Sequence, residues 1–159
     1  MLREFHKVFD NYPNVEFHEG LPDLVTFDEK SRTLLVLDDL MTVTDDRVVD
    51  LFTKISHHRN VSVVYRTKNI FYKNKQSRTL TLNSHYVVLF KTAWDASQVE
   101  NLARQMYPGK STFMVKAFKN VTSAPYGYLL IDLKQETDDK LRLRIGLFPE
   151  DDLFVYVKK

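Results

Sequence analysis

The chain has 159 residues, of which 43% are hydrophobic and 13% aromatic, and we expect one domain over 1–159 with its own core. No apolar run approaches the roughly 18 residues that a membrane-spanning helix needs, and the charged first residues do not form a signal peptide. The absence of cysteine excludes disulfides and thiolate metal sites and favours an intracellular setting. The formal net charge of +2 does not by itself favour nucleic acid.

Apolar patterning predicts strands alternating with helices in the first half of the chain. The predicted elements are a short helix at 3–12, a short strand at 15–18, a strand at 33–39, a helix beginning near Thr44 or Asp45, and a strand at 61–67. The segments "TLLVLDD" and "VSVVYRT" are almost continuously apolar, which is typical of parallel strands buried on both faces.

The second half of the chain continues this alternation and ends in strands. The predicted elements are a strand at 85–91, a helix at 95–108 with Asp95 and Gln98 as a capping box, a helix at 111–122 with Ser111 as its cap, a hairpin of strands at 126–133 and 141–148, and a last strand at 153–159. The two helices bury stripes that consist of Val99, Leu102, Ala103 and Met106, and of Met114, Ala117, Phe118 and Val121. The pattern predicts an α/β fold, with a parallel sheet, flanking helices and a C-terminal antiparallel hairpin at one edge.

Charge is segregated along the chain. No Asp or Glu occurs from Arg59 through Trp94, and five of the seven basic residues in this stretch fall in "RTKNIFYKNKQSR" at 66–78. Basic side chains interleaved with aromatic ones on a loop suit contact with a phosphate backbone and stacking on bases. A solvated loop whose charges balance the rest of the domain is the alternative, and the sequence leaves both open.

Two adjacent carboxylates, Asp38 and Asp39, end the apolar strand at 33–39. Ligands of open α/β sheets collect at the carboxyl ends of strands. One carboxylate there can hold Mg²⁺ and the second can polarise a water beside a nucleotide phosphate. The segment "LLVLDD" is therefore interpreted as a Walker B element, although two acids that begin a solvated loop would have the same pattern.

The motifs that surround this pair are similar, in sequence and in order, to those of a known protein family. In order, "LLVLDDLM", "LFTKISHHRNVSVVYRTKNIF", "SRTLTLNSHYVVLF", "ARQMYP" and "PYGYLLIDL" resemble the genome-packaging ATPases of large DNA viruses and of Maverick/Polinton-type elements, in the FtsK–HerA branch of P-loop NTPases. The resemblance covers nearly the whole chain. It implies a RecA-like fold, Mg²⁺ and ATP as cofactors, a homo-oligomeric ring that translocates double-stranded DNA, and a nuclear, cytoplasmic or virus-assembly location.

The resemblance also implies roles for single residues in the catalytic site. Asp38 matches the Mg²⁺-associated acid and Asp39 the acid that activates water. The next strand is followed by Lys68-Asn69, where the family usually has a Gln-Asn pair that reads the γ-phosphate. Asn69 matches the asparagine of that pair, whereas Lys68 stands where the family has glutamine. Lys68 can still contact a phosphate, but a lysine cannot accept a hydrogen bond from water.

Further along the chain the resemblance assigns contacts with DNA or with a neighbouring subunit. Arg78, with Asn83, matches an "R…LN" segment, and Arg78 is expected to contact DNA or a neighbouring subunit's nucleotide. The family's arginine-aspartate pair after the following strand is replaced by "AWD" at 93–95, which weakens catalysis in trans if that arginine acts across the ring. The DNA-binding candidates are the cations of the basic segment: Arg66, Lys73, Lys75 and Arg78.

The phosphate-binding half of such a site is missing from this sequence. None of its four glycines begins a G-x-x-x-x-G-K-[ST] pattern, and "PGKST" at 108–112 has Arg104 where the first glycine would stand. We therefore expect a partial RecA-like sheet, in which the strands at 61–67 and 85–91 pair with each other or leave an open edge that pairs with another copy.

Three hypotheses follow from these motifs. The chain is a truncated packaging-ATPase-like domain that cannot hydrolyse ATP alone, or a non-enzymatic DNA-binding or subunit-interaction module on the same half-fold, or one piece of a longer active enzyme.

Overall fold

The computed structural model describes residues 9, 12–23, 27, 30–38, 46–55, 59–70, 75–92 and 97–158, with side chains of the helix at 75–82 described from residue 78 onward. By contacts the chain divides into two compact units, Met1–Thr67 and Lys68–Lys159. The single domain over 1–159 stays a prediction.

The first unit contains a two-stranded parallel sheet. Strand β1, Thr33–Asp38, pairs with β2, Val61–Arg66, in a register that runs from Thr33 opposite Val61 to Asp38 opposite Arg66. Helix α1, Asp46–Asp50, lies between them in the chain and continues as a π-helical turn, Leu51–Ile55. This strand–helix–strand order is the parallel unit that the sequence predicts.

Burial in this unit alternates along the strands. Leu37 and Val61 are buried, as are Val48 and Leu51 of the helical segment. The opposite face is exposed, with 65% of Leu34, 58% of Val36 and 48% of Val64 accessible to solvent. The prediction that both faces of these strands are buried is therefore wrong. An apolar run makes burial of both faces of a strand favourable, but burial also requires a layer of the fold that covers each face.

The second unit is built on a four-stranded antiparallel sheet. Its strands are β3 at Tyr86–Phe90, β4 at Tyr128–Asp132, β5 at Leu143–Ile145 and β6 at Phe154–Val155, in spatial order β3-β4-β5-β6. The β4–β5 hairpin is confirmed. The prediction of a third parallel strand at 85–91 is wrong, because β3 runs antiparallel to β4. The expected pairing between 61–67 and 85–91 would join the two units, and it stays a prediction.

Among its described residues the second unit has three α-helices, α2 at Lys75–Leu82, α3 at Ser97–Met106 and α4 at Ser111–Val121, and a 3₁₀ turn at Asp139–Leu141. The core combines apolar residues of α3, α4 and the sheet, namely Leu89, Val99, Leu102, Ala103, Met114, Ala117, Leu129, Ile131 and Leu143. Met106, Phe118 and Val121 pack against this cluster. Both predicted helical stripes are therefore confirmed.

Several predicted boundaries differ from the structure. Residues 15–18 are described but form no strand, and of the predicted helix at 3–12 only Phe9 and Tyr12 lie within the described residues. Helix α4 begins at Ser111 with Lys110 in the N-cap position and no side-chain cap. Helix α2 lies where the sequence predicts a loop. The sequence does not predict this helix because "KQSRTLTL" is too polar to show an apolar stripe. The structure is mixed α/β, and the RecA-like assignment remains a prediction.

Candidate nucleic-acid interface

The carboxyl ends of the two parallel strands bring Asp38 next to Arg66. These residues stand opposite each other in the β1–β2 register. The Arg66 Nη1 donates to Asp38 Oδ1 at 2.8 Å and to Oδ2 at 3.1 Å. Both side chains are substantially exposed. A surface ion pair of this kind contributes little stability, typically about 0–1 kcal/mol.

This pairing engages the described carboxylate at the candidate catalytic end of β1. Both oxygens of Asp38 accept from the Arg66 guanidinium group, so the carboxylate is paired with a cation. Binding of Mg²⁺ by Asp38 or of DNA by Arg66 requires this exposed ion pair to open, and both roles stay predictions. Asp39 lies outside the described residues, and its role as a water-activating acid stays a prediction.

The candidate sensor pair lies at the beginning of the second unit. Gln98, in the first turn of α3, accepts a hydrogen bond from the Ile70 backbone N–H at 3.0 Å. The Gln98 Nε2 donates to the Lys68 carbonyl at 3.3 Å. Gln98 thus holds the 68–70 segment, which includes Asn69, against α3. The predicted use of Gln98 in a capping box rests on Asp95, which lies outside the described residues.

The basic segment divides between described and undescribed residues. Lys73 and the side chain of Lys75 lie outside the described residues, as do Phe71 and Tyr72. Their predicted contacts with phosphates and bases therefore stay predictions. Arg78 is described and exposed, and it lies on a helix, α2, instead of the predicted loop.

Asn83, the second residue of the "R…LN" match, directly follows α2. Its Nδ2 donates to the Thr79 carbonyl at 2.8 Å, and its backbone N–H donates to the same carbonyl at 3.1 Å. These bonds satisfy a carbonyl that the end of the helix would otherwise leave without a partner. Asn83 therefore caps the C-terminal end of α2.

The two units carry opposite formal charges. The sequence of the first unit contains 8 Lys or Arg and 12 Asp or Glu, a charge of −4. The second contains 15 Lys or Arg and 9 Asp or Glu, a charge of +6. The small net charge of the whole chain therefore conceals a basic C-terminal unit. An excess of this sign attracts polyanions and falls off over about 10 Å at moderate salt.

A groove between α3 and α4 collects three of the basic side chains. It has a volume of about 320 Å³ and is lined by Arg104 of α3 and by Lys116 and Lys119 of α4. All three residues are exposed. Arg104 also donates a hydrogen bond to the Asn101 side chain, which orients its guanidinium group. We call this feature the α3–α4 groove.

The remaining lining residues of the α3–α4 groove complete its chemistry. Ser111 and Thr112 supply hydroxyl groups, which can donate to phosphate oxygens. Glu100 is the one acidic residue in the lining. Lysine, arginine and hydroxyl side chains are among those that contact phosphate groups of nucleic acids, and the groove also contains the apolar Val115.

Sequence reasoning missed the α3–α4 groove although a signal was present. The correctly predicted buried stripes of the two helices leave Arg104, Lys116 and Lys119 on the other faces of α3 and α4. A search for runs of charge along the chain does not find cations that helix packing brings together from two elements.

The described part of the chain was also compared with the requirements of a metal site and of a membrane-spanning helix. No group of three or more His, Asp or Glu within it is placed to hold a metal ion. No helix among the same residues has the length and apolarity required to cross a membrane.

Comparison of the chain with protein-family models, with curated proteins and with solved structures finds no match in any of the three.

Proposed function

We propose that the chain binds double-stranded DNA through the α3–α4 groove and does not hydrolyse ATP by itself. The observation that carries this proposal is the convergence of Arg104, Lys116 and Lys119 on one groove in a unit of charge +6. Arg78, exposed on α2 of the same unit, adds a cation from the basic segment.

The proposed binding is electrostatic. Each lysine or arginine that neutralises a phosphate releases condensed counterions, and the logarithm of the binding constant then falls by about 0.9 per contact for each tenfold rise in salt. The two lysines of the groove act as point charges on flexible stems, and contacts of this kind with phosphate carry no sequence information. The expected mode is therefore binding to the DNA backbone without sequence preference.

The lack of autonomous ATP hydrolysis is supported by two features of this chain. Its sequence contains no glycine-rich phosphate loop, and the Asp38 carboxylate is turned to Arg66. Together with the resemblance, these features favour a truncated packaging-ATPase-like domain that keeps its DNA-binding part. Steady-state ATPase measurements with Asp39→Asn as control test this point, and turnover that Asp39→Asn abolishes would contradict it.

DNA binding is tested by charge reversal within the α3–α4 groove. The variant Lys116→Glu/Lys119→Glu is compared with wild type by fluorescence anisotropy on a labelled duplex of about 20 base pairs, and we expect its affinity to fall by at least about tenfold. The matched control, Lys30→Glu/Lys91→Glu, makes the same total charge change at exposed sites outside the groove. We expect it to lose less than about threefold. Equal losses for the two variants would show that overall charge, and not the groove, determines binding.

A second candidate, a subunit-interaction module, is favoured by the first unit. Leu34, Val36 and Val64 form an exposed apolar face there, and within the described residues β1 and β2 each pair on one side only. Open edges and exposed apolar faces favour association with another chain. Sedimentation velocity across a concentration series tests homo-oligomer formation, and a monomer at all concentrations would contradict self-association.

A further inference from the structure

A second cleft in the C-terminal unit shares no lining residue with the α3–α4 groove. It has a volume of about 640 Å³, within the range of small-molecule sites. Its lining combines three aromatic rings with three cations: Tyr107, Phe113, Tyr156, Lys140, Arg142 and Lys158. We call this feature the Tyr107 cleft.

The rings of the Tyr107 cleft are held in defined positions. Tyr107 and Phe113 meet edge to face, with ring centroids 5.6 Å apart. The Tyr156 hydroxyl donates to Asn120 Oδ1 at 2.6 Å, which fixes the third ring against α4. Apolar ring surfaces at fixed angles favour a planar, aromatic guest, because offset and edge-to-face contacts are the preferred arrangements of aromatic groups.

One cation of the Tyr107 cleft, Arg142, is fixed in place. Its Nε donates to Asp139 Oδ1 at 2.7 Å, and its Nη1 donates to the carbonyls of Asp132 and Lys134 at 3.1 and 2.9 Å. Asp139, which is the one acidic residue of the lining, is thereby paired with a cation. The acid therefore does not leave an uncompensated negative charge in the cleft.

A second cation, Lys158, is exposed and lies over a ring. Its Nζ stands 4.3 Å from the centroid of the Tyr107 ring. A cation–π contact at an exposed site contributes only about 0.5–1 kcal/mol. A lysine on a flexible stem can therefore leave the ring for an anion.

Within the Tyr107 cleft, the Tyr107 hydroxyl is a polar group whose burial the described contacts do not explain. It is buried and makes no hydrogen bond to any described residue. Burial raises the pKa of Tyr107, against the opposing effect of the nearby Arg142 charge, so the hydroxyl stays protonated at neutral pH. A buried donor without an acceptor is rare in native structures and requires a reason, such as a ligand that supplies the acceptor.

We propose that the Tyr107 cleft binds a small aromatic anion, whose ring lies against Phe113 and Tyr156 and whose anionic oxygen accepts a hydrogen bond from the Tyr107 hydroxyl. Arg142 supplies a fixed positive charge beside that oxygen, and Lys158 turns from the Tyr107 ring to the anion. The two parts of the ligand thus match the two kinds of side chain in the lining. Carboxylate and phosphate share this chemistry.

The probe for this proposal is 1-naphthoate, titrated into the full chain and followed by saturation-transfer NMR and calorimetry. Two analogues separate its parts: 1-naphthalenemethanol keeps the ring without the charge, and cyclohexanecarboxylate keeps the charge without the ring. We expect saturable naphthoate binding in about the millimolar range or tighter, as is usual for a ligand of this size. Both analogues should bind at least about fivefold more weakly. Phenyl phosphate, titrated in parallel, distinguishes a phosphate from a carboxylate ligand.

Two variants test the residues, and one serves as control. Tyr107→Phe removes only the hydroxyl and should weaken naphthoate binding by about tenfold or more, because a hydrogen bond to a charged acceptor is lost. Lys158→Ala should weaken it to a smaller extent, whereas Lys91→Ala, outside the cleft, should leave it unchanged. Tyr107→Phe should also unfold at the same or a higher temperature than wild type, since the hydroxyl has no partner among the described residues.

Three outcomes would overturn the proposal. They are unchanged affinity in Tyr107→Phe, equal affinity for the neutral analogue, and no saturable binding of either naphthoate or phenyl phosphate.

Discussion

The connection between α4 and β4 gives a sharp test of the fold of the second unit. Gly127 lies directly before β4, and a Cβ at this position would overlap the Val121 carbonyl oxygen. It would also stand 2.9 Å from the Val121 carbonyl carbon and 3.1 Å from the Ala124 carbonyl oxygen. All three atoms belong to the backbone, so no side-chain rotation relieves the overlap. Substitution by alanine must therefore separate the end of α4 from the start of β4.

The cost of that separation follows from the packing on either side. Helix α4 and β4 both contribute to the core, and Leu129, two residues after Gly127, is fully buried. Forcing extra atoms into a packed region costs about 1–3 kcal/mol, and an overlap with rigid backbone belongs at the upper end. We expect Gly127→Ala to lower the free energy of unfolding by about 3 kcal/mol in urea titrations followed by circular dichroism.

A matched glycine separates this overlap from a general effect of losing glycine. Gly109 has φ +73°, and beyond its chain neighbours no atom lies within 4 Å of a Cβ built there. Gly109→Ala therefore carries only the cost of a left-handed backbone, about 1 kcal/mol. If Gly127→Ala is no less stable than Gly109→Ala, the close approach of Gly127 to α4 is wrong.

The remaining predictions concern two carboxylates of the second unit. Asp132 is 2% exposed and accepts from Arg144 Nη2 at 3.0 Å, and the Arg144 Nε is buried without a hydrogen bond to a described residue. Asp132→Ala leaves this guanidinium uncompensated and should lower the free energy of unfolding by about 3–5 kcal/mol in urea. The second prediction concerns Asp151, whose pKa is lowered below 3.8 by hydrogen bonds from the backbone N–H groups of Phe148 and Leu147. The stability that it contributes is present above pH 3.8 and is lost as pH falls through the lower, folded-state pKa. Asp151→Asn should therefore flatten the acid limb of a plot of thermal stability against pH.

Each of these two predictions has a control at an exposed carboxylate. Asp139→Ala removes an exposed partner of Arg142 and should cost no more than about 1 kcal/mol. A loss as large as that of Asp132→Ala would contradict the distinction between buried and exposed pairs. Asp152→Asn removes the same charge next to Asp151. If both variants change the acid limb equally, the hydrogen bonds to Asp151 are not the cause.

Local patterns predict α3, α4 and the hairpin of the second unit well. The buried residues of the two helices recur at helical spacing: Val99, Leu102 and Ala103 in α3, and Met114 and Ala117 in α4. Such spacing can be recognised from the residues of one helix alone, without knowledge of its partners.

The direction of β3 is not predictable in the same way. The segment "YVVLF" is equally apolar in a parallel and an antiparallel sheet. Strand β3 pairs with β4 from Tyr86 opposite Asp132 to Phe90 opposite Tyr128. The choice of that partner depends on a segment far away in the chain, which local apolarity does not encode.

The candidate site is less accessible to sequence reasoning than the fold. Asp38 lies at a strand end as predicted, but its pairing with Arg66 depends on the β1–β2 register. The α3–α4 groove depends in turn on how two helices pack, which brings Arg104 beside Lys116 and Lys119. A basic stretch along the chain predicts contact with a polyanion, whereas the proposed binding surface is assembled by tertiary contacts.

The salt dependence of DNA binding tests the central claim most directly. Binding constants for wild type and for the neutral variant Lys116→Gln/Lys119→Gln are measured between about 50 and 200 mM salt, and the slopes of the two log–log plots are compared. If both lysines contact phosphates, the variant's slope should be shallower by about 1.8, because each lost contact removes about 0.9. Identical slopes for the two proteins would contradict DNA binding through the α3–α4 groove.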